Sequence, residues 1–129
     1  MTASAPGLGW LALGGVLAAL YLAVGARFTE RRALAWWATG LVVAALLHVG
    51  FALGDGVGAV LLQLVGVAGA AGFARLGLSG RPGWLAAGWL LHPVWDLALG
   101  GTSPAWYVGL CLSFDVVVGA ALYLRAVRR

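Results

Sequence analysis

The sequence predicts an all-α, polytopic membrane bundle of five transmembrane helices, and three observations carry that expectation. Of 129 residues, 63% are hydrophobic and only 9% charged, whereas a soluble domain typically carries about 25% charged residues to face water. The apolar residues fall into five stretches of near-spanning length, separated by short breaks rich in Gly, Pro or Arg. The eight arginines, unaccompanied by any lysine, occupy alternate breaks. One bundle accounts for the length, with residues 1–129 forming a single membrane-embedded domain.

The first stretch, Leu8–Ala26, resembles a signal core only superficially. Met1–Gly7 carry no basic side chain, and the apolar run is longer than a signal core, so it reads as a retained helix. The second and third, Ala33–Gly54 and Val57–Leu76, sit comfortably in the range of about 17–25 residues that a spanning helix needs. The fourth, Trp84–Leu99, is short and contains Pro93, which predicts a kink or the recruitment of loop residues. The fifth is Ala105–Leu124. Gly15, Ala19 and Ala23, and likewise Gly50 and Gly54, recur at four-residue spacing and predict close helix approaches.

With five crossings, the N-terminus, Gly54–Gly56 and Gly100–Pro104 share one side and carry no arginine. Arg27–Arg32, Arg75–Gly83 and Arg125–Arg129 share the other and hold all eight. The positive-inside rule then places the C-terminus in the cytoplasm and the N-terminus outside, in a cell membrane of the bacterial inner-membrane kind. Trp10, Trp95, Trp106 and Tyr107 fall near the outer boundary, and Trp36, Trp37, Trp84 and Tyr123 near the inner one, as interfacial belts would. The net charge of +4 is explained by this topology, so nucleic acid is not an expected partner. The lipid bilayer is, with a second copy or a membrane complex beside it.

Polar residues inside the stretches are the informative ones. At about 1.5 Å per residue, His48, Gln63, His92 and Cys111 lie about 9–10 Å below the outer boundary, Asp96 about 4–5 Å and Asp115 about 15 Å. All come from the outer half of four different stretches; the inner half offers only Tyr21 and Thr39. His92 and Asp96 stand four residues apart on one helix face, as do Tyr107, Cys111 and Asp115; His48 and Asp55 are two turns apart. An ionised Asp in the helix centre costs roughly 2.5–3.5 kcal/mol on insertion scales, so these faces should meet protein or water. The expectation is one outward-opening polar pocket lined by His48, His92, Asp96 and Asp115, with Trp95, Gln63, Cys111 and Tyr107 around it. Each residue also has an ordinary structural reading. Asp115 and the histidines can fix helix register, Asp96 can be solvated at the interface, Cys111 can be packing, Gln63 an interhelical hydrogen bond, and Asp55 a turn residue.

The segment Trp89–Leu90–Leu91–His92–Pro93–Val94–Trp95–Asp96, followed by Pro104, Cys111 and Asp115, resembles an uncharacterised bacterial family of small multi-pass membrane proteins with a Trp-Leu-Leu-His-x-x-Trp-Asp motif. The likeness spans about Gly72–Tyr123, and the first two stretches match in hydropathy only. The resemblance implies candidate residues and no activity, because the family's function is unknown. Members of the family carry a His pair just after the Asp, where this chain has Leu97–Ala98–Leu99–Gly100. A metal site built on that pair is excluded here, which leaves His48 as its substitute.

Three functions follow as expectations. The first is binding or translocation of a small polar ligand, ion or proton in the pocket. The second is a membrane enzyme with a mixed N/O metal site at His48, His92, Asp96 and Asp115, or with a haem held axially by the two histidines. The third is an accessory subunit whose polar layer gives assembly specificity. The sequence fixes no cofactor. A lone cysteine, Cys111, rules out an internal disulfide and a cysteine-based cluster; no His-Glu-x-x-His motif and no serine triad stands in the chain.

Overall fold

A computed structural model describes residues 4–99 and 103–128. Five helices follow one another: α1 (Ser4–Gly25), α2 (Glu30–Ala52), α3 (Val57–Leu78), α4 (Gly83–Leu99) and α5 (Ala105–Val127), with no strand among the described residues. Gly7–Gly25, Glu30–Ala52, Val57–Leu78 and Ala105–Val127 are long and apolar enough to cross a membrane, whereas α4 has only 17 residues.

Helix ends depart from the apolar stretches by a few residues. α2 begins at Glu30 rather than Ala33, and α5 continues to Val127 rather than Leu124. Hydropathy tracks what the side chains face, but the helical backbone persists until its hydrogen bonding is interrupted. At α2 the boundary is Thr29, whose backbone is extended (φ −59°, ψ 159°) and whose carbonyl accepts the first helical bond, from Ala33 N–H. After Ala52 the chain turns through Asp55, so Asp55 lies beyond the helix and does not share a face with His48. Gly56 and Gly80 adopt φ of 98° and 102°, a left-handed backbone that only glycine adopts cheaply, and they reverse the chain before α3 and before α4. Pro93 sits inside α4, which runs through it unbroken while losing the N–H that would bond the Trp89 carbonyl.

α5 packs against α1 and α4, α3 packs against α2 and α4, and α2 also reaches α4. α4, the shortest helix, is therefore the one that meets α2, α3 and α5. Gly25, Glu30, Pro82 and Arg125 surround one cavity of about 350 Å³, which brings the end of α1, the starts of α2 and α4 and the end of α5 together. The arginine-bearing breaks thus meet at one end of the bundle; Arg129 lies outside the described residues. At the opposite end Trp10 meets Trp106, ring centroids 5.1 Å apart.

Close approaches occur on other glycines than the expected row. A Cβ added at Gly15, Gly50 or Gly54 would meet nothing within 4 Å, whereas one at Gly14 would fall 2.1 Å from the Leu110 carbonyl oxygen and the Ser113 hydroxyl. α1 is so rich in Gly and Ala that several four-residue rows are equivalent in sequence; α5 selects Gly14 and Ala18, the latter fully buried. Two expected belt residues are also core. Trp37 is buried, and its carbonyl accepts the Trp89 indole N–H at 3.2 Å. Tyr107 is buried against Phe51, with centroids 4.6 Å apart. Both indole and phenol have enough apolar area to fill a bundle core when a partner helix covers them.

Within the bundle lies an aromatic layer. Tyr21 stacks on Trp36 at 4.9 Å and meets Trp37, Trp89 and Phe114 at 5.2, 5.9 and 5.4 Å. Its hydroxyl donates to the Trp36 carbonyl at 2.6 Å, and the Trp36 indole donates back to the Tyr21 carbonyl at 3.1 Å. This reciprocal pair ties α1 to α2 where few other contacts do so.

Candidate functional site

His92 and Asp96 project from the C-terminal half of α4, one turn apart, and both are buried. Because α4 is flanked by both α2 and α5, it can present one residue to each. His48 of α2 comes to Asp96, its Nε2 standing 2.6 Å from Oδ1. Asp115 of α5, fully buried, comes to His92, with Nδ1 and Oδ2 2.6 Å apart. His92 Nε2 lies 3.7 Å from the same Asp96 Oδ1. The four ionisable side chains from three helices thus form one contiguous cluster.

The directions of the lone pairs matter as much as the distances. His92 Nδ1 is hydrogen-bonded to Asp115 Oδ2; with Asp115 ionised and His92 neutral, the carboxylate accepts and Nδ1 carries the proton. That leaves Nε2 with a free lone pair. His48 repeats the arrangement: its Nδ1 is 2.8 Å from the Ser103 hydroxyl, and its Nε2 is turned inward. Among the described residues, His48 Nε2, His92 Nε2 and both Asp96 oxygens have no hydrogen-bond partner, although all are buried. The 2.6 Å approach of His48 to Asp96 is therefore not aligned as a hydrogen bond. Buried polar groups are normally satisfied, so several orphans pointing at one place call for an occupant.

The surroundings limit access. A void of about 10 Å³ is lined by Ala45, His48, Gln63, Gly66, His92 and Trp95. That is close to the volume of roughly 10–15 Å³ needed to hold a single water. Gln63 is buried and clamped: it accepts from the Trp95 indole N–H at 3.0 Å and donates to the Leu99 carbonyl at 2.8 Å. Its ordinary reading as an interhelical hydrogen bond is thus met, between α3 and α4. Tyr107 lies with its ring 5.4 Å from that of His48, its hydroxyl unpartnered among the described residues. Cys111 is buried as a free thiol one turn from Asp115, and both line an apolar cavity of about 270 Å³ between α1, α2 and α5.

Of the expected residues, His48, His92, Asp96 and Asp115 are brought together, Tyr107 and Cys111 border them, and Gln63 and Trp95 wall them from α3. Ser103 is the residue that sequence reasoning missed. It stands beside Gly100–Thr102, which are outside the described residues, and a loop serine carries no signal of its own. No family model matches this chain, and no curated protein or solved structure matches it either.

Proposed function

We propose that this chain is a five-span membrane protein, N-terminus outside and C-terminus cytoplasmic, that binds one divalent transition-metal ion in the outer half of its bundle. The ligands are His48 Nε2, His92 Nε2 and an Asp96 carboxylate oxygen. One observation carries this reading. Three buried donor atoms, all within 4.8 Å of one another, lack hydrogen-bond partners among the described residues, while each imidazole is held from behind through its other nitrogen. Metal-ligating histidines almost always donate their second N–H to a carboxylate, carbonyl or similar acceptor. Asp115 and Ser103 supply that here.

The distances suit such an ion. Ligand atoms about 2.0–2.2 Å from one zinc stand roughly 3–4 Å apart. The 3.7 Å separation of His92 from Asp96 lies in that range, and the 2.6 Å one of His48 from Asp96 is shorter, so that pair must part slightly as an ion enters. Two imidazoles and one carboxylate match catalytic zinc sites and the ferrous facial triad, both of which keep a position open. The water-sized void beside His48 and His92 offers that position. Haem is disfavoured because the space in front of the two imidazoles is a void of about 10 Å³, with no room for a macrocycle between them. The aromatic layer of Tyr21, Trp89 and Phe114 lies between the cluster and the arginine end, which supports binding at a fixed site over passage through the bundle.

α4 spans about 25 Å at 1.5 Å per residue, slightly less than a hydrocarbon core of about 30 Å, and local bilayer thinning accommodates the difference. The resemblance of Trp89–Asp96 to a multi-pass family fits the same reading, with His48 as the second imidazole. Elemental analysis of the detergent-purified protein tests it. About one equivalent of zinc or iron per chain is expected, and its loss in His48→Ala and His92→Ala. A folded protein that neither retains nor takes up either metal on titration would refute the site and leave two charge-compensated His–Asp pairs.

A further inference from the structure

An apolar groove on the side of the bundle borders the proposed metal position. Between α3 and α4 runs a groove of about 420 Å³ lined by Val65, Gly69, Phe73, Leu91, Val94 and Leu99, among other apolar residues. That volume lies within the usual span of about 300–1,000 Å³ for small-molecule sites. Only His92 and Trp95 in its lining carry a polar side-chain atom. Val65, Leu91 and Val94 on its rim are strongly exposed, as lipid-facing residues are.

Groove and void are continuous in their walls. Gly66, His92 and Trp95 border both. The indole of Trp95 lies across α3 because Gly66 has no side chain; a Cβ there would fall 2.8 Å from the ring. Half-buried Trp95 and its hydrogen bond to Gln63 are therefore the partition between an apolar trough and the space in front of two metal ligands. The apolar cavity on the opposite flank touches Asp115, Cys111 and Tyr107 but none of the three ligand residues.

We infer that the molecule acted on or held at the metal is a membrane amphiphile, its hydrocarbon chain lying in the α3–α4 groove and its polar group passing Trp95 and Gln63 to the ion's open position. This rests on the metal reading above. A water-soluble polar ligand would find the trough unfavourable, since desolvating its polar groups along an apolar wall is costly. An acyl or isoprenoid chain fills that wall at no such cost, and its headgroup arrives at the one polar point on it. Trp95 and Gln63 act as positioning residues, opening and closing this passage without contacting the metal.

The experiment uses cobalt(II) in place of the native ion, in full-length protein in nanodiscs, with visible absorption reporting ligation. Two probes share a metal-binding hydroxamate head: dodecyl hydroxamate and acetohydroxamate. Gly69 lines the groove, and a Cβ there would meet nothing within 4 Å, so the side chain of Gly69→Phe starts into open space in the trough; Val65→Phe is the second filling variant. Comparing one probe between two proteins cancels its partition into the bilayer. The filled variants should keep full cobalt content and bind acetohydroxamate within about twofold of the parent. Their affinity for the dodecyl probe should fall about tenfold or more, the worth of a few methylenes losing their fitted contact. Unchanged dodecyl binding in the filled variants, or equal weakening of both probes, would overturn the inference while leaving the metal site intact. Failure to take up cobalt at all would instead overturn the reading it rests on.

Discussion

Asp115 touches no proposed open position, yet its replacement should weaken metal binding in a graded way. Its Oδ2 accepts the His92 Nδ1 proton at 2.6 Å, with both groups buried. In the proposed site the ionised carboxylate would fix the tautomer, hold Nε2 towards the ion and raise the basicity of the ring. Changes to such partners typically cost 10–100-fold in metal affinity, which at about 1.4 kcal/mol per tenfold amounts to roughly 1.4–2.8 kcal/mol. Asp115→Asn keeps an acceptor and ring orientation but removes the charge, so a loss near tenfold is expected. Asp115→Leu removes the acceptor and leaves a buried imidazole N–H unsatisfied, a penalty of about 1–3 kcal/mol that moves the loss towards 100-fold. Affinities would be read by competition with a chromogenic chelator, with size-exclusion profile and circular dichroism confirming the fold. A folded Asp115→Leu protein binding zinc as tightly as the parent, or binding more tightly than Asp115→Asn, would refute the reasoning.

Two other outcomes test the fold. Gly14→Ala places a Cβ 2.1 Å from the backbone oxygen of Leu110, and since backbone cannot step aside it should destabilise the bundle by about 1–3 kcal/mol. Gly15→Ala meets nothing within 4 Å and should be neutral or stabilising by up to about 1 kcal/mol; unfolding in mixed detergent would show the contrast, and equal effects would count against the α1–α5 packing. For topology, Asp55→Cys and Ser79→Cys sit in turns between helices, and a membrane-impermeant thiol reagent should label position 55 in intact cells but position 79 only after permeabilisation. Cys111 is buried and supplies little background.

The helical class was legible because lipid imposes one pattern on a chain: long apolar runs whose backbone satisfies itself. The helix faces were less so. His92 and Asp96 declared a shared face through four-residue spacing within one helix, and the structure keeps them together. The pairing of His48 with Asp96 depends on how α2 leans on α4, and no local pattern encodes that. Gly14 and Gly15 illustrate the same limit at the level of packing, since neighbouring rows of small residues differ only in what the facing helix brings. Trp37 and Tyr107 were misplaced for a related reason. An aromatic near a helix end suits a headgroup belt and a capped core equally well, and α4 and α2 decide between them. Ser103 was invisible because its importance lies wholly in standing 2.8 Å from a histidine on another helix.

The charge balance of the cluster bears on what it holds. Two aspartates and two histidines lie together at 7% exposure or less. Two neutral imidazoles, two carboxylates and one dication sum to zero, and so do two imidazolium ions with two carboxylates and no metal. Net charge therefore fails to separate the alternatives; lone pairs separate them. In the fully ionised metal-free arrangement each imidazolium must donate from both nitrogens, so His48 and His92 Nε2 would each need an aligned acceptor. Neither has one among the described residues, although an Asp96 oxygen stands 2.6 Å from one and 3.7 Å from the other. Two donors left unmade in a buried site would cost about 1–3 kcal/mol each. A metal ion converts the same three atoms from orphans into ligands and leaves the hydrogen bonds to Ser103 and Asp115 unchanged. An ion in place would therefore cost less than the fully ionised metal-free arrangement, and on the proposed reading removal of the metal by a chelator should loosen α2 from α4 first, where His48 is held across the site rather than along one helix.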